Sequence, residues 1–389
     1  MTIARKTALA WHNLWYQPLR TAVAVVGVTF AAVLMFMQLG FLEAVKASAT
    51  VIYDVLDFDI CLRSRDYDRF SDARSFDRSR LSQAREVEGV ESATPLWVGV
   101  LSWRNPKTGE PRAILTLGVP DSAAVFKDPS IQRAVESALD RPHTMLVDTH
   151  SRREFGPADG YVFGPADIGQ RVEVNHKLLE IAGLYTCGCS LNAGGAIIVE
   201  ERDFLRCVPQ FPHDNGSLAL IDVNHASDAR LVARQIAASL PDDVEVLTRS
   251  EIMGSEIHHW VWQTNYGLIF MSGVVVAVVV GTAIVYQVLS SEVVSRLPEY
   301  ATLKALGYDN AYLVRVMVEQ SLLLALVAYL ASLAISVVLY EFTAVGAQIP
   351  IRMTWTNSLL VLALTSALCI ASGIAAIRRA FLADPAELF

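Results

Sequence analysis

Four long stretches of this 389-residue chain carry no Asp, Glu, Lys or Arg, and they limit what it can fold into more than any other feature. They cover residues 21–42, 260–291, 320–340 and 355–377. Each reaches the roughly 20 residues that a helix needs to cross a hydrocarbon core. A soluble fold would have to bury four such runs at once. Mean hydropathy is +0.36 with 53% hydrophobic residues, so the runs read as membrane spans. The first is too long for a cleaved leader. A basic, tryptophan-containing segment precedes it, and "LGFLEAVKAS" continues as helix past its end.

Lys and Arg near the span ends set the orientation. Arg5, Lys6, Arg20, Arg296, Lys304, Arg315, Arg378 and Arg379 fall on one side, against Lys46, Arg249 and Arg352 on the other. The expected layout is a multi-pass membrane protein with both termini in the cytoplasm. Residues 1–20 form an amphipathic helix on the inner face, with Trp11 and Trp15 sharing one side. Residues 43–259 form a large exterior domain. Residues 292–319 return through the cytoplasm, 341–354 form an outer loop, and 378–389 form an inner tail.

The exterior segment carries a net charge of −10, which argues against nucleic acid and against docking on anionic headgroups. Strand-like runs ("SATPLWVGVLSW", "RAILTLGVP", "RVEVNHKLLEIAGLY", "GGAIIVE", "SLALIDV", "DDVEVLT") alternate with helical ones, so a mixed α/β domain is expected. Residues 128–212 read as an insertion between two halves of a first subdomain. In the helix "SDARLVARQIAASL", Leu231, Ile236 and Leu240 are the expected inward face. The run 63–80 has six Arg and four Asp and reads as a self-paired surface or a partner contact. A helix through "SEIMGSEIHHWVW" should lead into the second span. Its His258-His259 pair reads as an interfacial anchor or a proton-sensitive element.

Four of the five cysteines are exterior, where a disulfide is permitted. Cys207 with Cys187 or Cys189 is the expected pairing, while the C-x-C spacing also fits a metal ligand pair. No phosphate loop, H-E-x-x-H or G-x-S-x-G is present, so no catalytic residue or cofactor site is expected in this chain. The spans lack ionisable residues at depth, unlike proton relays and charge-lined channels. Small residues such as Gly273, Gly281, Ala371 and Gly373 suit close helix packing instead.

Between the second and third runs lies "LPEYATLKALGY". Pro298 suits a first helical position, Glu299 the positive end of the helix dipole, Lys304 the negative end, and Gly307 a stop. Ala301, Leu303 and Leu306 supply apolar contacts, and Arg296 adds charge. A short helix with its own start and stop signals suits a docking surface for a cytoplasmic motor.

This segment and the following "YLVRVMVEQSLLLA" resemble the coupling-helix region of FtsX/MacB-type ABC transporter permeases. The ending "LADPAELF" is similar to that superfamily's terminal pattern, and "FAAVLMFMQLGFLEAV" resembles DevC-type permeases. The resemblance implies four transmembrane helices plus a large α/β periplasmic domain, with a MacB-like porter part and an inserted subdomain. It implies a homodimer in membrane lipid with a separate DevA-like ATPase, which binds the ATP and Mg. A DevB-like periplasmic adaptor and an outer-membrane TolC-like duct would complete the assembly. The implied function is ATP-driven mechanotransmission that exports a lipid-like or other periplasmic substrate. The alternative is an FtsX-like regulator that moves exterior partners without transport. Dependence on an outer-membrane duct would separate the two.

Overall fold

The computed structural model describes residues 18–121, 124–187, 194–224, 228–295, 306, 309–347 and 350–382. They fall into two compact units. One contains the long apolar helices; the other contains residues 45–264.

The apolar unit is built from α1 (Pro18–Val55, whose residues to Ala44 belong here), α7 (Asn265–Ser295), α8 (Asn310–Ala347) and α9 (Trp355–Leu382). All four are long and apolar enough to cross a membrane. Small residues let α1 and α7 approach closely. Gly27 lies against Ile284 and Val288, Gly281 against Ala31 and Met35, and Phe41 stacks on Phe270 at 5.2 Å. These pairings run antiparallel.

Thr29 Oγ donates to the Ala328 carbonyl at 3.3 Å, and the Tyr340 hydroxyl donates to the Phe36 carbonyl, so α8 runs parallel to α1. Tyr329 and Ser358 share a hydroxyl hydrogen bond at 2.6 Å, and Gly373 faces Ser321, so α9 runs antiparallel to α8. Direction therefore alternates along the chain. The start of α1, end of α7, start of α8 and end of α9 all lie at one end of this unit. Its buried polar side chains among the described residues, including Gln320, Ser321, Asn357 and Thr365, are all neutral.

The second unit holds the remaining elements. Its helices are α2 (Ser79–Arg85), α3 (Pro129–Ala138), α4 (Glu201–Cys207), α5 (Ala229–Ser239) and α6 (Arg249–His258). Its strands are β1 (Ile60–Ser64), β2 (Phe76–Asp77), β3 (Val90–Arg104), β4 (Pro111–Val119), β5 (Thr144–Asp148), β6 (Arg171–Val174), β7 (Lys177–Tyr185), β8 (Ala196–Glu200), β9 (Asn215–Gly216), β10 (Leu218–Val223) and β11 (Val244–Thr248). Nine of these strands form one mixed sheet in the order β11-β1-β10-β3-β4-β8-β5-β7-β6.

Strand β3 joins the two parts of this sheet. Its first half pairs with β10 and its second half, from Trp97, pairs with β4. The stretch 45–264, within which an insertion at 128–212 was expected, is one compact unit with a continuous sheet. One of its core clusters contains Trp103, which meets Phe155 and Phe163 edge-on at 6.1 Å each. Those two rings come from a repeated Phe-Gly-Pro-Ala-Asp, at 155–159 and 163–167, which the strand and helix patterns gave no reason to notice.

Two further expectations are corrected. Helix α5 buries Ile236 and packs Leu240 against the same core, as expected, but Leu231 is exposed and Val232 and Ala233 take its inward place. Helix α6 does not run unbroken into the second span. A π turn at His259–Gln263 ends at Thr264, whose extended backbone (φ −99°, ψ 152°) interrupts the helix before α7 starts at Asn265.

Candidate functional site

Of the residues expected to contact a motor, Arg296, Pro298, Glu299, Ala301, Leu303, Lys304 and Gly307 lie outside the described residues. Leu306 is described and is 71% exposed. It lies in the chain between Ser295, the end of α7, and Asn310, the start of α8. Those ends meet at the same end of the helical unit. There α1 and α7 enclose a groove of about 730 Å³ lined by Leu19, Thr21, Gln287, Ser291, Glu292 and Ser295. On α8, Arg315 and Glu319 form an exposed i, i+4 ion pair at 3.2 Å.

The unit of residues 45–264 contains a second constellation, all of it within the described residues. It gathers where α1 ends and α6 begins. A helix end leaves backbone carbonyls without intrahelical donors. Here Arg249, the first residue of α6, supplies them. Its guanidinium donates to the Leu56 carbonyl at 2.9 Å, to the Phe58 carbonyl at 3.4 Å, and to the Tyr53 carbonyl. It also lies 4.7 Å over the Phe58 ring. A cation at the C-terminal end of a helix opposes the negative pole of its dipole.

The sequence also starts α6 at this point. Thr248 and Glu251 form a capping box, with Glu251 Oε2 accepting from the Thr248 amide at 2.8 Å and hydroxyl at 2.7 Å. These hydrogen bonds hold the Glu251 carboxyl below its ordinary range.

Two turns along α6, Glu256 is buried at 1% exposure. Its Oε1 accepts from the Tyr67 hydroxyl and from the Tyr53 hydroxyl at 3.3 Å, and the two hydroxyls are 2.8 Å apart. Burial pushes the Glu256 carboxyl up, against the opposing pull of the Tyr67 and Tyr53 hydroxyls, the Phe70 amide and Arg63. The Arg63 guanidinium is itself held elsewhere. It pairs with Glu245 at 2.9 Å, donates to Ser255 at 3.2 Å and lies 4.3 Å over the Tyr67 ring. Tyr53 packs edge-on against Phe70 at 5.1 Å.

The loop after β4 joins the same end of α1. The Asp57 amide donates to Val125 O at 2.9 Å, and the Lys127 amide to Val55 O at 3.0 Å. The constellation ties the last turns of α1 to α6, to β1 and to the loop after β4.

Sequence reasoning did not single out this group. Arg249 counted only toward charge asymmetry. The available signal was Glu256 standing four residues after Ile252, which places a carboxylate on the buried face of its helix. His259, 3.9 Å from Asp68 and hydrogen-bonded to Gln263 at 3.0 Å, lies at the end of that helix.

The expected cysteine pairing is not formed. Cys207 is a buried free thiol that donates to the Val174 carbonyl at 3.8 Å, packed with the core around Trp103. Cys187 packs against a different cluster, the one containing Tyr53 and Leu146, and Cys189 lies outside the described residues. Among the described residues, no group of three His, Cys, Asp or Glu is arranged to hold a metal.

The arginine-rich run is ion-paired, but two of its arginines pair with carboxylates of the run itself and four with carboxylates elsewhere in the same unit, so the self-paired reading holds only in part. Its partners are Glu245 for Arg63, Asp242 for Arg65, Asp68 for Arg69, Asp72 for Arg74, Glu201 for Arg78 and Asp243 for Arg80.

The chain thus combines four apolar helices of spanning length with a large α/β domain built on one mixed sheet. Residues 271–385, which contain most of α7 and all the described parts of α8 and α9, match the FtsX-like permease C-terminal domain. The match is confined to that C-terminal part of the chain. Solved structures similar to this chain include the extracellular domain of the noncanonic ABC-type transporter YknZ from Gram-positive bacteria, at 13% identity and TM-score 0.32, covering 49% of this chain and 98% of that one. Another is the periplasmic region of MacB from Actinobacillus actinomycetemcomitans, at 8% identity and TM-score 0.35, covering 52% of this chain and 94% of that one. No curated protein matches the sequence.

Proposed function

We propose that this chain is the permease subunit of an ABC exporter that converts the motion of a separate ATPase into movement of its exterior domain. The FtsX-like match over residues 271–385 carries this reading, because it contains residues 298–307, whose sequence has helix start and stop signals. ATP and Mg belong to the partner ATPase, which docks beneath residues 298–306 on the cytoplasmic side. Closure of the ATPases moves the helix ends, and α1 and α6 pass that movement outward.

The neutral interior of the helical unit supports levers over an ion path, since buried charges usually mark such paths. In the complete assembly the chain is a homodimer. A periplasmic adaptor and an outer-membrane duct receive a lipid-like or other periplasmic cargo that enters from the exterior side. A DevC-type system is the particular version proposed, on the resemblance of residues 30–45.

Docking is tested by Asp substitution at Ala301, Leu303 and Leu306 in turn. An unpaired charge in an apolar contact costs several kcal/mol, and ~3 kcal/mol weakens binding about a hundredfold. At least one variant is expected to insert normally yet lose co-purification of its ATPase and lose export. Full ATPase binding and transport in all three would sink the reading.

A further inference from the structure

We infer that the groove between the start of α1 and the end of α7 seats one phospholipid with an amine-bearing headgroup, its acyl chain on Val23, Ala24, Ile284 and Val288 and its ammonium at Glu292. The groove is a wedge. Gly27 lets α1 touch α7 at the closed end, where a methyl group would lie 3.2 Å from Val288 and 3.4 Å from Ile284. Beyond that contact the two helices leave a space of about 730 Å³ that reaches Leu19 and Ser295.

The walls are graded in polarity along the helices. Val23, Ala24, Ile284 and Val288 line the deep part, Gln287 stands midway, and Thr21, Ser291, Glu292 and Ser295 line the mouth. From Ile284 to Ser295 the helical rise amounts to about 16 Å. That is half of a hydrocarbon core of about 30 Å, the depth of one leaflet. Leu19, Val23 and Val294 are exposed, so the wedge opens sideways. Both helices are long and apolar enough to cross a membrane, and what lies beside such a pair is lipid. Apolar walls over one leaflet with hydroxyls at the mouth repeat the polarity order of a phospholipid.

Charge selects the headgroup. Among the described residues that line the wedge, Glu292 alone is ionisable, and no Lys or Arg accompanies it. A carboxylate attracts an ammonium and repels an anionic headgroup. The hydroxyls of Thr21, Ser291 and Ser295 are donors for the phosphate and glycerol oxygens beside it. The occupant is a resident lipid of the phosphatidylethanolamine kind, not phosphatidylglycerol. This inference rests on α1 and α7 crossing the bilayer, and it is independent of what the protein exports.

The test uses the full-length chain in nanodiscs of phosphatidylcholine, whose quaternary ammonium cannot donate a hydrogen bond to Glu292. The discs carry phosphatidylethanolamine or phosphatidylglycerol with a diazirine on the acyl chain, and adducts are located by peptide mass spectrometry after illumination. The phosphatidylethanolamine probe is expected to label residues 19–24 and 284–295 about fivefold more than the other, the scale of one partly exposed ion pair. Ser291→Trp, which fills the wedge, should remove most of the labelling. Glu292→Gln should keep the labelling and lose the preference between headgroups; being isosteric, it also serves if Ser291→Trp does not fold. Wild type unlabelled at these residues, labelled equally by both probes, or labelled undiminished in a folded Ser291→Trp variant would overturn the inference. Labelling that appears only after residues 1–17 are removed would make that segment the occupant instead. Disulfide-linked dimers of Ser291→Cys with no lipid adduct would make it a second copy of the chain.

Discussion

Arg249 donates to the carbonyl of Leu56 across a 193-residue separation in sequence, so the first residue of α6 caps the last turn of α1. One helix carries the chain out of its first apolar run, and the other carries it toward the second. The cap therefore joins the two segments by which the chain enters and leaves the α/β unit.

Removal of that cap should be costly. Arg249→Ala would leave the Tyr53, Leu56 and Phe58 carbonyls without their side-chain donor. Unsatisfied buried acceptors cost about 1–3 kcal/mol. The expected result is a lower melting temperature and faster hydrogen exchange at 45–58. Arg249→Lys should recover little of the loss, because an ammonium cannot reproduce the guanidinium's fork. Unchanged exchange at 45–58 in Arg249→Ala would show that the cap does not hold α1.

The difference between what was legible and what was not follows the range of the interactions involved. Apolar runs such as 21–42 are local, and helices stand where they were expected. Alternating strands such as "RAILTLGVP" and "SLALIDV" were legible for the same reason. The break at Thr264 was missed because its sequence, "VWQTNYG", contains no proline and only a late glycine. Nothing local marks the residue of β3 at which its partner changes from β10 to β4, because β3 is one continuous strand. The fastening around Glu256 depends on contacts such as Tyr53 with Glu256, 203 residues apart, which no periodicity encodes.

Thiol chemistry can check both the cysteines and the orientation. Burial pushes the Cys207 thiol up to about 11, so it carries almost no thiolate at neutral pH and is shielded as well. In intact cells it should stay unmodified by an impermeant maleimide. Ser137→Cys, on the exposed face of α3, should react from outside, and Asn310→Cys at the start of α8 should not. Labelling at position 310 with protection at 137 would reverse the proposed orientation. Native labelling of Cys207 would contradict its burial.

Within the helical unit, Gly40 and Tyr340 provide the sharpest packing test. The Tyr340 ring lies directly over Gly40, with its hydroxyl bonded to the Phe36 carbonyl, and Ile351 fills the remaining side. A methyl group at position 40 would overlap the ring and come within 3.0 Å of the Ile351 side chain. Gly40→Ala should therefore displace Tyr340 and break its bond to α1. Overpacking of this kind costs about 1–3 kcal/mol. Tyr340→Ala alone should also destabilise, through the cavity and the lost hydrogen bond. The double variant should lose much less than the sum, because once the ring is gone the new methyl has room. Thermal unfolding of all four proteins in nanodiscs gives the coupling energy. Additive losses would mean that α8 does not pack on α1 through this pair.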